Sequence, residues 1–122
     1  MQVTVGFGVL SGLVLPLAVC VTALRFFFEY GVEVVLWPQD VQSVLGYPCD
    51  TQRLPISEAT RAEIDRLSAR YQSSLDWDDP MGPSPWPLEQ REQFNTQARA
   101  LLERIRSELP SDWVVEDRFC PL

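Results

Sequence analysis

The chain has 122 residues, of which 46% are hydrophobic and 22% are charged, and this length is typical of one folded domain. Its 17 acidic residues outnumber its 10 basic residues, which gives a net charge of −7. This charge disfavours nucleic acid as a partner, because phosphate binding requires a basic surface.

Two residue types that enzymes often use are missing from the chain. All ten basic residues are arginine, and there is no histidine. Without histidine the chain lacks the usual general base near neutral pH and the commonest neutral metal ligand. Without lysine it lacks Schiff-base chemistry and the phosphate-binding lysine of a P-loop. The sequence therefore predicts a protein that is not an enzyme and has no cofactor.

The N-terminal part of the chain is strongly apolar, because residues 3–24 contain no charged side chain. A helix of about 22 residues is long enough to cross a hydrocarbon core of about 30 Å. We therefore predict that residues 1–24 form a single-pass transmembrane segment in front of a domain at 25–122. Two alternatives stay open. One is a signal peptide cleaved near Ala23, although no basic residue precedes its apolar part. The other is a start near residues 21–25, which predicts a cytoplasmic protein.

The first predicted element of the domain is a strand at 25–36. Aromatic and β-branched side chains alternate along it, so that Phe26, Phe28 and Leu36 share one face. This period of two is typical of a half-buried strand. Gly31 marks a bulge or bend within it.

Two amphipathic helices are predicted next. Ser57 is a suitable N-cap for the first helix, at about 58–75, in which apolar residues recur three and four positions apart. The second helix begins after Ser84 and ends at about residue 109, before a proline.

A short final strand is predicted at 112–117, so that the element order is β-α-α-β. This order predicts an α+β fold in which two antiparallel helices pack on a short sheet. The final strand pairs with the first strand. A short piece of residues 38–56 is a candidate third strand, because two strands alone form a weak sheet.

Several segments of the domain have a distinctive sequence. They are RFFFEYGVEVVLWP (25–38), LGYP (45–48), RLPIS (53–57), YQSSLDWDDP (71–80), Trp86, Phe94 and DWVVEDRF (112–119). Together these segments resemble a family of short, functionally uncharacterised proteins of high-GC bacteria. The resemblance covers nearly all of 25–122 and implies a shared fold. It implies no reaction, so no functional residues follow from it.

Four large aromatic residues lie in or beside the proline-rich loops: Trp37, Tyr47, Trp77 and Trp86. Tryptophan and tyrosine are favoured anchors of protein interfaces. These residues either gather on one face as a binding surface or cover the edge of a thin core.

Three carboxylates lie close together in the sequence at Asp76, Asp78 and Asp79. Hard cations such as Ca²⁺ and Mg²⁺ prefer oxygen ligands, which makes this loop a candidate metal site. The spacing does not match an EF-hand loop. The alternative is that Asp78 or Asp79 caps a turn while Trp77 packs on the core.

The three cysteines are too scattered for a zinc site or a disulfide scaffold. Cys49 and Cys120 are able to pair if they meet in an oxidising compartment. The alternative is that both are free thiols.

These features favour a small interaction protein whose acidic surface binds a basic protein partner, by electrostatic steering and complementarity. An immunity-type protein that neutralises a basic toxin is one concrete form of this hypothesis. The apolar segment at 3–24 predicts that this protein is anchored in a membrane. The alternative function is a metal- or small-ligand-binding module that uses the loop from Asp76 to Trp86.

Overall fold

The computed structural model of the protein describes residues 22–40 and 42–122. In chain order they form strands β1 (Thr22–Phe26) and β2 (Leu36–Pro38), helices α1 (Glu58–Gln72) and α2 (Leu88–Glu108), and strand β3 (Trp113–Asp117). A short 3-10 helix (Thr51–Arg53) lies in the loop before α1. The predicted α+β class, with two helices and a small sheet, is confirmed.

The sheet has three strands in the order β2-β1-β3. β1 pairs with β2 in antiparallel orientation, with Leu24 opposite Pro38. It pairs with β3 in parallel orientation, with Leu24 opposite Val115. The predicted pairing of the first and last strands is therefore confirmed, and the central strand belongs to the N-terminal end of the domain.

The predicted single strand at 25–36 is wrong, because this segment is a hairpin. The Phe27 amide donates to the Val35 carbonyl at 3.0 Å and the Val32 amide donates to the Glu29 carbonyl at 3.2 Å. Gly31 forms the turn with a φ of +84°, a conformation that glycine adopts without a steric penalty. The alternation of side chains continues through this turn, so periodicity alone does not reveal it.

The predicted single-pass membrane location is wrong. Within residues 22–40 and 42–122 no helix is long and apolar enough to cross a membrane. Residues 22–24 of the apolar segment belong to β1, and the rest of that segment lies outside the described residues. Leu24 and Phe26 of β1 are apolar because their side chains are buried in the core of the domain.

The two helices lie close to their predicted ranges. They differ at the ends that face the loop between them, because α1 ends at Gln72 and α2 begins at Leu88. Ser57 caps α1, since its hydroxyl accepts a hydrogen bond from the Thr60 amide at 3.2 Å. Ser84 does not cap α2; its hydroxyl donates to the Ser74 carbonyl at 2.6 Å and accepts from the Trp86 amide at 3.2 Å. Ser84 therefore stabilises the loop between the helices, and α2 begins only at Leu88.

The core lies between the inner face of the sheet and the two helices. The helices are antiparallel, as shown by contacts between the end of α2 and the start of α1. Each element contributes its predicted apolar face to this core. The fully or nearly fully buried side chains include Leu24, Phe26, Leu36, Ile64, Leu67, Phe94, Ala98, Leu101, Leu102, Ile105 and Val115. The opposite face of the sheet, which we call the outer face, is partly exposed.

Candidate functional site

The outer face of the sheet contains two of the four predicted aromatic binding residues. Trp37 lies on β2, and the Phe27 ring stacks on it with 5.1 Å between centroids and 9° between planes. The edge of Tyr47 meets Trp37 at 5.5 Å. The Trp37 indole N–H is buried and has no acceptor among residues 22–40 and 42–122. Trp37 and Tyr47 thus lie together, as part of a three-ring layer.

Arg25 lies opposite Trp37 in the sheet register. Its Nη2 donates to the Pro38 carbonyl at 3.1 Å and to the Tyr47 hydroxyl at 3.0 Å. Its Nε is buried and has no acceptor in the described part of the chain. The guanidinium is therefore held in one place by neutral partners, and its positive charge has no carboxylate within ion-pair distance there.

Trp86 belongs to the core rather than to a surface. Only 8% of the residue is exposed, its ring meets the ring of Phe94 at 5.8 Å, and the Arg70 guanidinium lies 5.2 Å from its centroid. Burial of this ring covers the edge of the core where α1 and α2 are connected.

Trp77 is the most exposed of the four predicted aromatic residues, at 55%. Its indole N–H donates to the Gln72 carbonyl at 2.8 Å, and its ring meets Tyr30 edge-on at 6.2 Å. Tyr30 in turn stacks on Tyr71, with centroids 4.3 Å apart. Trp77 is therefore held in a defined orientation while much of its ring faces solvent.

The side chain of Gln72, at the end of α1, joins the Trp77 loop to the hairpin turn. Its Oε1 accepts from the Gly31 amide at 2.7 Å. Its Nε2 donates to the carbonyls of Glu29 and Val32, each at 3.2 Å. The hairpin turn and the loop after α1 consequently lie side by side.

The three aspartates of the candidate metal site shape a turn. The Asp76 carboxylate accepts from the amides of Asp78 at 3.0 Å and Asp79 at 3.3 Å. Within residues 22–40 and 42–122 no three acidic, cysteine or histidine side chains form a group that could hold a metal ion. Asp76 therefore caps this turn, whereas the sequence suggested Asp78 or Asp79 as the cap. Trp77 is not packed in the core as that alternative required, since 55% of it is exposed.

Exposed carboxylates flank Trp77 in its own loop, and Glu29 lies in the hairpin turn that Gln72 joins to this loop. None of them takes part in an ion pair with another described residue, whereas six ion pairs are found elsewhere in the structure. Together with the indole they define what we call the Trp77 surface: Glu29, Asp76, Trp77, Asp78 and Asp79.

Both described cysteines are free thiols. Cys49 is buried, and this burial raises the pKa of its thiol to about 11. At neutral pH the Cys49 thiol is therefore protonated and a poor nucleophile. Cys120 is exposed.

All of these features except Cys120 lie in a region that matches a known family model. The model described as Serratia CdiI immunity protein-like matches residues 22–117, which is every strand and helix from β1 to β3. This chain belongs to that family. No curated protein matches the chain.

Membership of this family identifies the chain as a small protein-interaction domain, as the composition and the lack of catalytic motifs predicted. The family match also agrees with the predicted resemblance to one family of short proteins. Its limits at 22 and 117 coincide with the outer ends of β1 and β3 as the structure describes them, so the match includes the whole described sheet and both helices.

The sequence did not reveal Gln72 or Tyr30 as residues that hold Trp77 in its orientation. Both depend on the hairpin turn, which brings residues about 40 positions apart into contact. The available signal was Gly31, because a glycine between two strand-like halves is a common site for a turn.

Proposed function

We propose that this protein is an immunity-type protein that binds a toxin domain and neutralises it, without a catalytic activity of its own. The immunity protein-like family to which the chain belongs supports this proposal. The observation on which it depends is the Trp77 surface, where an exposed tryptophan lies beside carboxylates that have no ionic partner among the described residues.

Trp77 has the properties of an interface anchor. Tryptophan is enriched among residues that contribute most to binding energy. The hydrogen bond from its indole N–H to Gln72 limits its motion before binding, so less side-chain entropy is lost when a partner covers it. The exposed Met81 follows in the same loop and adds an adaptable apolar contact.

The carboxylates of the Trp77 surface favour a basic partner. They are exposed and not neutralised within the described chain, and the whole chain has a net charge of −7. Such a surface attracts a positively charged partner at long range and repels acidic proteins, which gives rapid and selective association.

Neutralisation is tested by growth protection. Candidate toxin domains are each expressed in a susceptible cell, with and without this protein, and the growth of the cells is measured. We expect growth to recover with one toxin domain, and the purified pair to form a complex. If every toxin domain that arrests growth does so equally with and without the chain, the proposal is wrong.

The contribution of Trp77 is tested with the purified pair. We expect Trp77→Ala to weaken binding at least about 30-fold, since anchors contribute about 2 kcal/mol or more. Tyr47→Ala is the matched control, because Tyr47 is an exposed aromatic residue on the outer face of the sheet. If Tyr47→Ala abolishes binding and Trp77→Ala does not, the interface lies on the outer face instead.

The role of charge is tested by association kinetics. We expect Asp78→Asn/Asp79→Asn to slow association about 10-fold at low salt and to reduce the dependence of the rate on salt. The control Glu89→Gln/Glu92→Gln removes two exposed charges from α2 that also have no ion pair in the described structure. Equal effects of the two double variants would show that only the net charge matters.

A further inference from the structure

A cleft opens at the carboxyl ends of the parallel strands β1 and β3. At this end of the two strands, the Arg118 amide donates a hydrogen bond to the Phe26 carbonyl at 3.0 Å. Beyond it the chain after β1 enters the hairpin, while the chain after β3 turns to α2, where Leu122 bonds to Asn95. Divergence of neighbouring chains at strand ends creates crevices in which ligands commonly bind.

This cleft, which we call the Arg25 cleft, has a volume of about 320 Å³. This is near the lower end of the range for ligand pockets, about 300–1,000 Å³, and suits a molecule with one ring. Its lining combines two arginines, three aromatic residues and one thiol: Arg25, Phe27, Phe28, Tyr71, Arg118 and Cys120.

The positive charge of the Arg25 cleft contrasts with the acidic chain around it. Arg25 has neutral partners for its Nη2 and none for its buried Nε within the described residues. Arg118 is exposed, and its Nε donates to a Glu116 carboxylate oxygen at 2.9 Å. Glu116 therefore offsets part of the charge of Arg118, whereas the charge of Arg25 is not offset by an ion pair in the described chain.

Flat apolar surfaces complete the lining. Phe27 stacks on Trp37 and Phe28 stacks on Tyr71, with 5.1 Å and 5.2 Å between centroids. These contacts hold the rings in place, so the parts of the rings that line the cleft offer preformed apolar contacts to a ligand.

We propose that the Arg25 cleft binds a small aromatic carboxylic acid. The ring of the ligand contacts the aromatic walls, and its carboxylate accepts hydrogen bonds from the guanidinium groups of Arg25 and Arg118, which suit carboxylates in geometry and charge. This site is separate from the Trp77 surface and does not depend on the immunity function.

The test is a titration of the full chain with benzoate, followed by amide chemical shifts and by calorimetry. We expect saturable shifts confined to residues 25–28, to Tyr71 and its immediate neighbours, and to residues 118–120. Benzyl alcohol, which has the ring without the charge, and acetate, which has the charge without the ring, should each bind at least about 10-fold more weakly. Equal binding of benzyl alcohol, or shifts that do not saturate, would overturn the proposal.

Substitutions of the two arginines test whether their positive charges are required for benzoate binding. We expect Arg118→Gln and Arg25→Gln each to weaken benzoate binding about 10-fold or more. Arg118 is exposed, so its variant keeps the test valid if Arg25→Gln unfolds. Arg104→Gln is the matched control, an exposed and ion-paired arginine on α2, and should leave the affinity unchanged.

The two proposals are distinguished by the same variants. Trp77→Ala should leave benzoate binding unchanged, and Arg118→Gln should leave toxin binding unchanged. If Arg118→Gln weakens toxin binding while the unmodified chain does not bind benzoate, the proposal of an acid site is wrong and the two arginines belong to the protein interface.

Discussion

Glu108 joins the two helices at the end of the molecule opposite the Trp77 surface. Its carboxylate accepts hydrogen bonds from the Ser57 amide at 2.7 Å and from the Thr60 hydroxyl at 2.6 Å. It also lies at the N-terminal end of α1, where the helix dipole favours a negative charge. The last residue of α2 thereby completes the cap of α1, in which Ser57 alone was predicted.

These hydrogen bonds, chiefly the one from Thr60, hold the pKa of the Glu108 carboxyl below its ordinary value of 4.5. A carboxyl with a lowered pKa in the folded state stabilises the fold fully above its unfolded pKa, and this contribution is lost as the pH falls through the folded pKa. Glu108→Gln should therefore reduce the free energy of unfolding by about 1 kcal/mol at pH 7. Urea unfolding of the variant and the unmodified chain at a series of pH values measures this difference in the free energy of unfolding.

The difference between the Glu108→Gln variant and the unmodified chain should shrink steadily below pH 4.5. Glu103→Gln is the control, because Glu103 is an exposed acid on α2 and surface ion pairs contribute about 0–1 kcal/mol. A constant difference between pH 7 and pH 3 would contradict the role assigned to the Glu108 charge.

The elements differ in how far the sequence determines their limits. Helix α1 was predictable from Ser57 and from the apolar stripe that includes Ile64 and Leu67, because caps and stripes are local signals. The hairpin was not, since alternation continues from Phe26 to Leu36 on both sides of Gly31. The contacts that place Trp77, Gln72 and the Arg25 cleft depend on which strands become neighbours, and a single sequence contains no direct signal for that.

The C-terminal tail is attached to α2 by one buried side chain. Asn95 accepts from the Leu122 amide at 2.8 Å and donates to the Leu122 carbonyl at 3.2 Å. Between these bonds and β3, Phe119 packs against the core. Asn95 thus determines the position of the tail and of the Arg25 cleft that the tail borders.

We expect Asn95→Ala to reduce the free energy of unfolding by about 1–2 kcal/mol, because two buried hydrogen bonds are lost. Amide hydrogen exchange should become faster at residues 118–122 while the centre of α2 stays protected. Thr96→Ala is the control, since Thr96 is exposed and bonds only within its helix and should leave the tail protected. Unchanged exchange in the Asn95 variant would contradict this role.

At the scale of the whole molecule, β3 completes the sheet by pairing with β1. Val115 is buried opposite Leu24, whereas the neighbouring Val114 is 52% exposed on the outer face. The last strand therefore covers a central strand from the other end of the chain, and the stability of both helices depends on this contact through the shared core.

A matched pair of substitutions tests this dependence. Val115→Asp should cost about 3 kcal/mol or more, because it buries an unpaired charge, and it should lower hydrogen-exchange protection throughout α1 and α2. Val114→Asp introduces the same side chain on the exposed face and should change stability by about 0.5 kcal/mol or less. If Val115→Asp loosens only residues 113–122, the sheet and the helices are independent units.

The pairing of β1 with β3 also has a consequence in time. The two strands are separated by about 90 residues, and a ribosome adds about 5–20 residues per second. For roughly 5–20 s after β1 is made, Leu24 and Phe26 lack the neighbour that covers them. Under the proposed immunity function, each new molecule becomes protective only after its last strand is made, and molecules completed earlier supply the protection until then.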